Sequence, residues 1–215
     1  MVARLPSIDL LRVLTVIVIV WRHTWPVPKG EPQMLLATIT VPFFFFLTGW
    51  LWRTGKRTIR DETKMRWLTL GRPYVTWLAL IFIEFAASTI KGDITRDTIE
   101  TLIRPLLGGS YAGRPFSTFW FISALFFVAI MMRAVEKLPR PHLVALAVLL
   151  AGVGALLGQK LDRIPLSIGL AIPCLAFAVA GYLLRQWAAS REHPWRGRRR
   201  VRAVFRRVGV AARVA

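Results

Sequence analysis

"SIDLLRVLTVIVIVWRHTW", residues 7–25, decides how the rest of the chain is read. Its centre, Val13 to Val20, is apolar apart from Thr15. Arg12 stands before that run, and Arg22 and His23 follow it. What these polar groups do depends on whether the run lies in water or in lipid, and composition decides that.

The chain has 215 residues, of which 55 % are hydrophobic. That is above the roughly 45–50 % of ordinary globular domains. Mean hydropathy is +0.50. Nine Trp and thirteen Phe accompany only eleven acidic residues. A net charge of +19 would suit a nucleic-acid binder. The arginines, however, cluster between apolar runs rather than along one face, which excludes nucleic acid as the partner of the chain's body. The single cysteine, Cys174, lies inside an apolar stretch, so no internal disulfide forms. The first apolar run is not followed by a small-residue cleavage site, so it is not read as a signal peptide.

Six apolar segments approach the length that spans a bilayer: Leu10–Pro28, Met34–Trp52, Pro73–Ile90, Ser117–Met132, Leu143–Gly158 and Ile164–Leu184. The fifth is short and glycine-rich. None alternates with the period of a barrel strand, so each is expected to be a helix that satisfies its own backbone. The expected fold is an all-α, polytopic transmembrane bundle of about six helices.

Charge between the segments sets the orientation. Residues 53–72 carry Arg53, Lys56, Arg57, Arg60, Lys64, Arg66 and Arg72. The loop after the fourth segment carries Arg133, Lys137 and Arg140, and everything after the sixth is rich in arginine. The positive-inside rule then predicts a multi-pass protein of the plasma membrane with both termini in the cytoplasm. For most of these arginines topology alone is a sufficient reason. Residues 91–115 would face outward, with a turn-rich tip, "LLGGSYAGRPF", either covering a site or simply connecting helices.

Composition changes near Trp187, dividing the chain into a transmembrane domain over 5–187 and a basic tail over 188–215. "RGRRRVRAVFRRVGVAARVA", residues 196–215, contains no acid. Two readings fit it: a cytoplasmic tail that attracts anionic lipid, or a segment translated out of frame. No internal repeat and no nucleotide-binding glycine loop is present.

On a helix turning about 100° per residue, eleven steps bring His23 back to within about 20° of Arg12. Asp9 lies three residues before Arg12, so Asp9, Arg12 and His23 share one face. Arg12 and His23 are separated by about 16 Å along the axis, near half the hydrocarbon thickness. With Arg12 at the interface beside Asp9, His23 lies inside the membrane. There a titratable group is costly unless it faces a cavity. Histidine can serve as a general base at neutral pH. The alternative is an interfacial residue beside Trp25 and Pro26.

These residues resemble the acyltransferase-3 family of integral membrane acyltransferases. Asp9, Leu11, Arg12 and His23 fit its Asp-x-Leu-Arg start, with ten residues between the arginine and the histidine. "TVPFFFFLTGWLWR" resembles its second helix, and "KMRWLTLGRPYVTW" the entry to its third. "FSTFWFISALF" resembles its His-x-Trp-Phe element, and "PCLAFAVAGYLLRQW" a later Phe-x-x-Gly-Tyr-x-x-Arg helix. Five weak motifs in the right order, over residues 5–187, are far more specific than any one of them.

The resemblance implies transfer of an acyl group, commonly acetyl, from acyl-CoA as co-substrate. The acceptor would be a hydroxyl of a glycan, an envelope lipid or a secondary metabolite. It implies no tightly bound cofactor and no metal. His23 would be the catalytic base. Arg12, held by Asp9, and an Arg-x-x-Arg pair, Arg57 and Arg60, would bind the donor. Arginine forks suit its phosphates, and coenzyme A is found on the arginine-rich side. The chain departs from the pattern at Thr118, where the family usually has histidine, and at Arg22. It also has fewer apolar segments than the family domain usually has.

Two further residues stand out. Glu84 lies in mid-segment, where a carboxylate is expected to join a polar network. Trp120 either packs or grips a sugar. A truncated, inactive membrane protein, or one that only binds a partner, is the rival to an enzyme. A transporter would need more polar residues in the later helices.

Overall fold

In the computed structural model the described residues are 6–24, 31–90, 92, 94–108 and 111–192. Every regular element among them is helical. The helices are α1 (Pro6–Thr24), α2 (Glu31–Trp50), α3 (Ile59–Arg66), α4 (Arg72–Thr89), α5 (Arg96–Leu107), α6 (Phe119–Val135), α7 (Arg140–Asp162) and α8 (Ile168–Glu192). The six expected segments fall on α1, α2, α4, α6, α7 and α8. The glycine-rich fifth is the centre of a continuous 23-residue helix.

Among the described residues, four stretches are long and apolar enough to cross a membrane: Ile59–Thr89, Phe116–Val135, Arg140–Asp162 and Pro165–Arg191. Ile39–Trp50 of α2 is a shorter apolar helix. α1 and the first half of α2 include side chains outside the described residues. The spans are also apolar on the outside: Ile83, Val148, Leu149 and Leu156 are all more than half exposed, Leu156 at 85 %. Exposed apolar faces on successive long helices suit hydrocarbon rather than water.

α8 is the central helix and packs against α2, α6 and α7. Small residues bring it close to α2. A methyl group added at Gly49 would overlap the Ala178 carbonyl oxygen, and one at Gly181 would overlap the Phe46 carbonyl oxygen. The two backbones are therefore in contact, the packing that small residues permit between apolar helices. Phe45, Val128, Met132, Leu143 and Val179 fill the core around this contact. A second cluster, Phe116 and Phe119 against Tyr74, Phe82 and Phe85, joins α4 to α6.

Trp52, just past α2, bonds to Glu136, just past α6, and its carbonyl accepts from Arg185 near the end of α8. α2, α6 and α8 therefore run parallel and finish at one end of the bundle. That end also holds α3 and the start of α7, and we call it the basic end.

The stretches read as loops contain helices. α3 starts at a capping box: the Asp61 amide donates to the Thr58 hydroxyl oxygen, and the Asp61 carboxylate accepts from the Thr58 amide. It continues into α4 through a π turn at Trp67–Gly71, closed by the Arg72 amide donating to the Trp67 carbonyl. Pro73 explains the turn, because its ring would clash with the Thr69 carbonyl in a regular α-helix. In the stretch between α4 and α6, Thr95 caps α5 by accepting from the Thr98 amide. Residues 188–192 continue α8. The rest of the expected tail, 193–215, lies outside the described residues.

Candidate functional site

At the basic end the chain leaves α2 and turns back into α3 through residues 51–58. A buried ion network holds this return. Arg133 and Glu136 lie three residues apart at the end of α6, and Arg133 Nη1 donates to Glu136 Oε2 at 2.7 Å. Arg133 Nη2 donates to Glu62 Oε2 of α3 at 2.9 Å. Glu62 also accepts from Arg66 Nε at 2.8 Å, one turn along α3, and has Arg57 Nη1 at 3.5 Å. Glu62 is 1 % exposed and Arg133 6 %.

The same charges grip the return backbone. Arg133 Nη1 reaches the Arg53 carbonyl at 3.2 Å. Glu136 accepts from Trp52 Nε1 at 2.7 Å and from the Gly55 amide at 3.2 Å. The Arg133 guanidinium lies over the Trp52 ring, 4.5 Å from its centroid. Tyr182 of α8 adds a hydroxyl 3.2 Å from Thr54 Oγ1. Buried charges are stable only when paired and hydrogen-bonded in this way.

The network leaves cations facing open space. A cavity of about 260 Å³ is walled by Thr48, Arg53, Lys56, Arg57, Arg66 and Arg133, among others. A groove of about 670 Å³ beside it is lined by Lys56, Arg57, Arg60, Asp61, Glu136 and Lys137, among others. An anionic group of nucleotide size fits such a groove by charge and by volume.

The sequence-derived candidates are distributed unevenly. Arg57 and Arg60 come together on the groove. Asp9, Arg12 and His23 all lie on the single helix α1, and their side chains are outside the described residues. Trp120 lies in the first turn of α6, about 20 Å along the helix from Arg133. It is half-buried, with its ring edge-on to Phe121. Thr118, at the position where histidine was expected, lies in the short turn just before it. Glu84 is exposed on α4 and has no polar partner among the described residues, so the structure does not bring it into a network. No cluster of His, Cys, Asp or Glu suited to a metal ion occurs among the described residues.

The sequence reading missed Trp52, Glu62, Glu136, Tyr182 and Arg185. Glu62 is an acid inside a basic stretch, and Arg133 and Glu136 sit three apart at a helix end. Those signals were present, but their pairing spans 71 residues.

No curated protein and no solved structure matches the chain. The family model described as an acyltransferase domain matches residues 5–212. That match takes in α1 with its Arg12–His23 spacing, the whole basic end and α8. With four helices among the described residues long and apolar enough to cross a membrane beneath it, the chain belongs to the acyltransferase-3 family of membrane acyltransferases.

Proposed function

We propose that the chain transfers an acyl group, acetyl in the first instance, from acyl-CoA to a hydroxyl of a carbohydrate or other envelope acceptor. The observation that carries this reading is the groove at the basic end, where Lys56, Arg57, Arg60 and Lys137 converge. Those cations suit the phosphates of the donor. The positive-inside rule supports a cytoplasmic location for this end and for the N-terminus, and a plasma-membrane location for the whole.

In this reading His23 takes the proton of the acceptor hydroxyl as its oxygen attacks the thioester carbonyl carbon. The tetrahedral intermediate collapses, the carbon–sulfur bond breaks, and the thiolate leaves with a proton returned by the imidazolium. Arg12, steadied by Asp9, orients the donor. Trp120, toward the other end of α6, is a candidate platform for a sugar ring. Both the donor and a membrane-embedded base fit a chain whose other contacts are with the lipid bilayer.

The test is thiol release from acetyl-CoA, in proteoliposomes, with and without hydroxylated acceptors. His23→Ala, inserted normally, should abolish acceptor-dependent release. Full activity in that variant removes His23 from the mechanism. Binding without turnover in the wild-type chain favours a non-enzymatic protein.

A further inference from the structure

Charge alone places residues 91–115 in an outward-facing loop, yet α5 fills much of that stretch. The helix sits at the end of the bundle opposite the basic end. It meets α4 and the turn that precedes α8. Phe85, near the end of α4, packs edge-on against Phe116, just before α6, which fixes that end of the bundle. Gly108, with a φ of +66°, closes α5 beside the Leu166 backbone.

At about 100° per residue, the side chains of α5 divide into three sectors. Pro105 is buried and Leu102 half-buried, so this sector faces the bundle. Ile99, Ile103 and Leu106 fall within about 60° of one another, roughly 90° round from the first sector. They are 48 %, 47 % and 48 % exposed. Asp97, Glu100 and Arg104 form the third sector and point away from both. An apolar stripe set between a protein-facing side and a charged side suits the rim of a membrane-spanning bundle. The stripe can face the acyl chains while the charges stay in water. α5 also follows a span whose exposed apolar residues, Leu80 and Ile83, already suit hydrocarbon. Its charged residues are Arg96, Asp97, Glu100 and Arg104, two of each sign, with Arg96 Nε 3.2 Å from Glu100 Oε1. The helix therefore carries no net charge that would draw it to anionic lipid.

We infer that α5 lies in the plane of the membrane interface at the end opposite the basic end, with Ile99, Ile103 and Leu106 inserted at the headgroup–acyl boundary of zwitterionic lipid. Apolar burial drives the insertion, so it needs neither anionic lipid nor low salt. The inference rests on the membrane spans and is independent of acyl transfer.

The full chain is reconstituted in phosphatidylcholine liposomes with a nitroxide on one introduced cysteine at a time. The unsubstituted chain, treated alike, gives the background from buried Cys174. Collision of the nitroxide with oxygen, which partitions into lipid, is compared with collision with a water-soluble nickel chelate. Ile99→Cys, Ile103→Cys and Leu106→Cys should show an oxygen-to-nickel ratio several-fold above that of Asp97→Cys, Thr101→Cys and Arg104→Cys. The ratio should correspond to a depth of about 5–10 Å. Val148→Cys, on the exposed face of α7, gives the value for full hydrocarbon contact. Added salt or phosphatidylglycerol should leave the contrast unchanged. Equal nickel contact on the two faces puts α5 in water and overturns the inference. Low contact with both reagents at Ile99 and Ile103 reveals a protein partner instead and overturns it as well. A contrast that appears only with phosphatidylglycerol overturns the assignment to zwitterionic lipid. Three positions on each face keep the result decidable where one variant fails to fold.

Discussion

Arg133 of α6 and Glu62 of α3 meet at 2.9 Å across 71 residues of sequence, both almost fully buried. Arg133 is the only described side chain that bonds to both buried carboxylates of the network, Glu62 and Glu136. Replacing it by methionine leaves Glu136 with no cationic partner among the described residues and leaves Glu62 with Arg66 and the more distant Arg57. Loss of one partner from a buried pair costs about 3–5 kcal/mol. Arg133→Met should therefore lower the thermal midpoint in detergent sharply, and Arg133→Met with Glu136→Gln should be less unstable than the two single changes added together. Simple additivity in that cycle would mean the two residues are not coupled.

The α2–α8 contact yields a contrast between glycines. Gly181 lies on the Phe46 carbonyl oxygen, whereas Gly152 faces open space. Gly181→Ala must push the helices apart and should destabilise by at least about 1–3 kcal/mol. Gly152→Ala should be neutral or stabilising by up to about 1 kcal/mol, since alanine favours the helix. Thermal unfolding of both variants in one detergent checks this, and equal midpoints would contradict the close packing.

Much of the scaffold could be read directly. Long apolar runs between arginine clusters make bilayer-length helices, and the six runs fall on six of the helices. Arg57 and Arg60 were visible as a spaced pair of charges, and the structure sets both on one groove. Their surroundings were harder to read because counter-ions come from distant segments: Glu62 and Glu136 look like solvated charges until α3 and α6 meet. α5 was hidden for another reason. Thr95 and the apolar spacing Ile99, Ile103, Leu106 signal a capped amphipathic helix, but the neighbouring glycine-rich tip drew the whole stretch into a loop.

The groove reading separates binding from chemistry. Arg57 is partly exposed and only 3.5 Å from Glu62, so it has donors to spare for a ligand. Arg57→Gln and Arg60→Gln should each raise KM for acetyl-CoA by about fivefold with little change in kcat, a loss of about 1 kcal/mol. His23→Ala should instead remove kcat. The KM effect should shrink as salt rises, because screening weakens exposed charge contacts. Unchanged KM in both arginine variants would place the donor elsewhere.

Trp52 tests whether the network matters to function as well as to stability. Its indole donates to Glu136 at 2.7 Å while its ring lies beneath Arg133, so the residue has two separable contacts. Trp52→Phe keeps an aromatic face for the guanidinium and removes only the donor. Glu136 retains Arg133 and the Gly55 amide as partners, so the carboxylate is weakened rather than stranded. A single charge-assisted hydrogen bond of this kind contributes about 1.5–3 kcal/mol. Trp52→Phe should lose about that much stability, and Trp52→Ala more, because it also empties the space under Arg133. The return segment carries Arg53, Lys56 and Arg57 within five residues of Trp52, so loosening it should misplace those cations together. KM for acetyl-CoA should then rise in Trp52→Phe even under conditions where the variant is fully folded. Normal KM in a folded but destabilised Trp52→Phe would confine the network to a structural role.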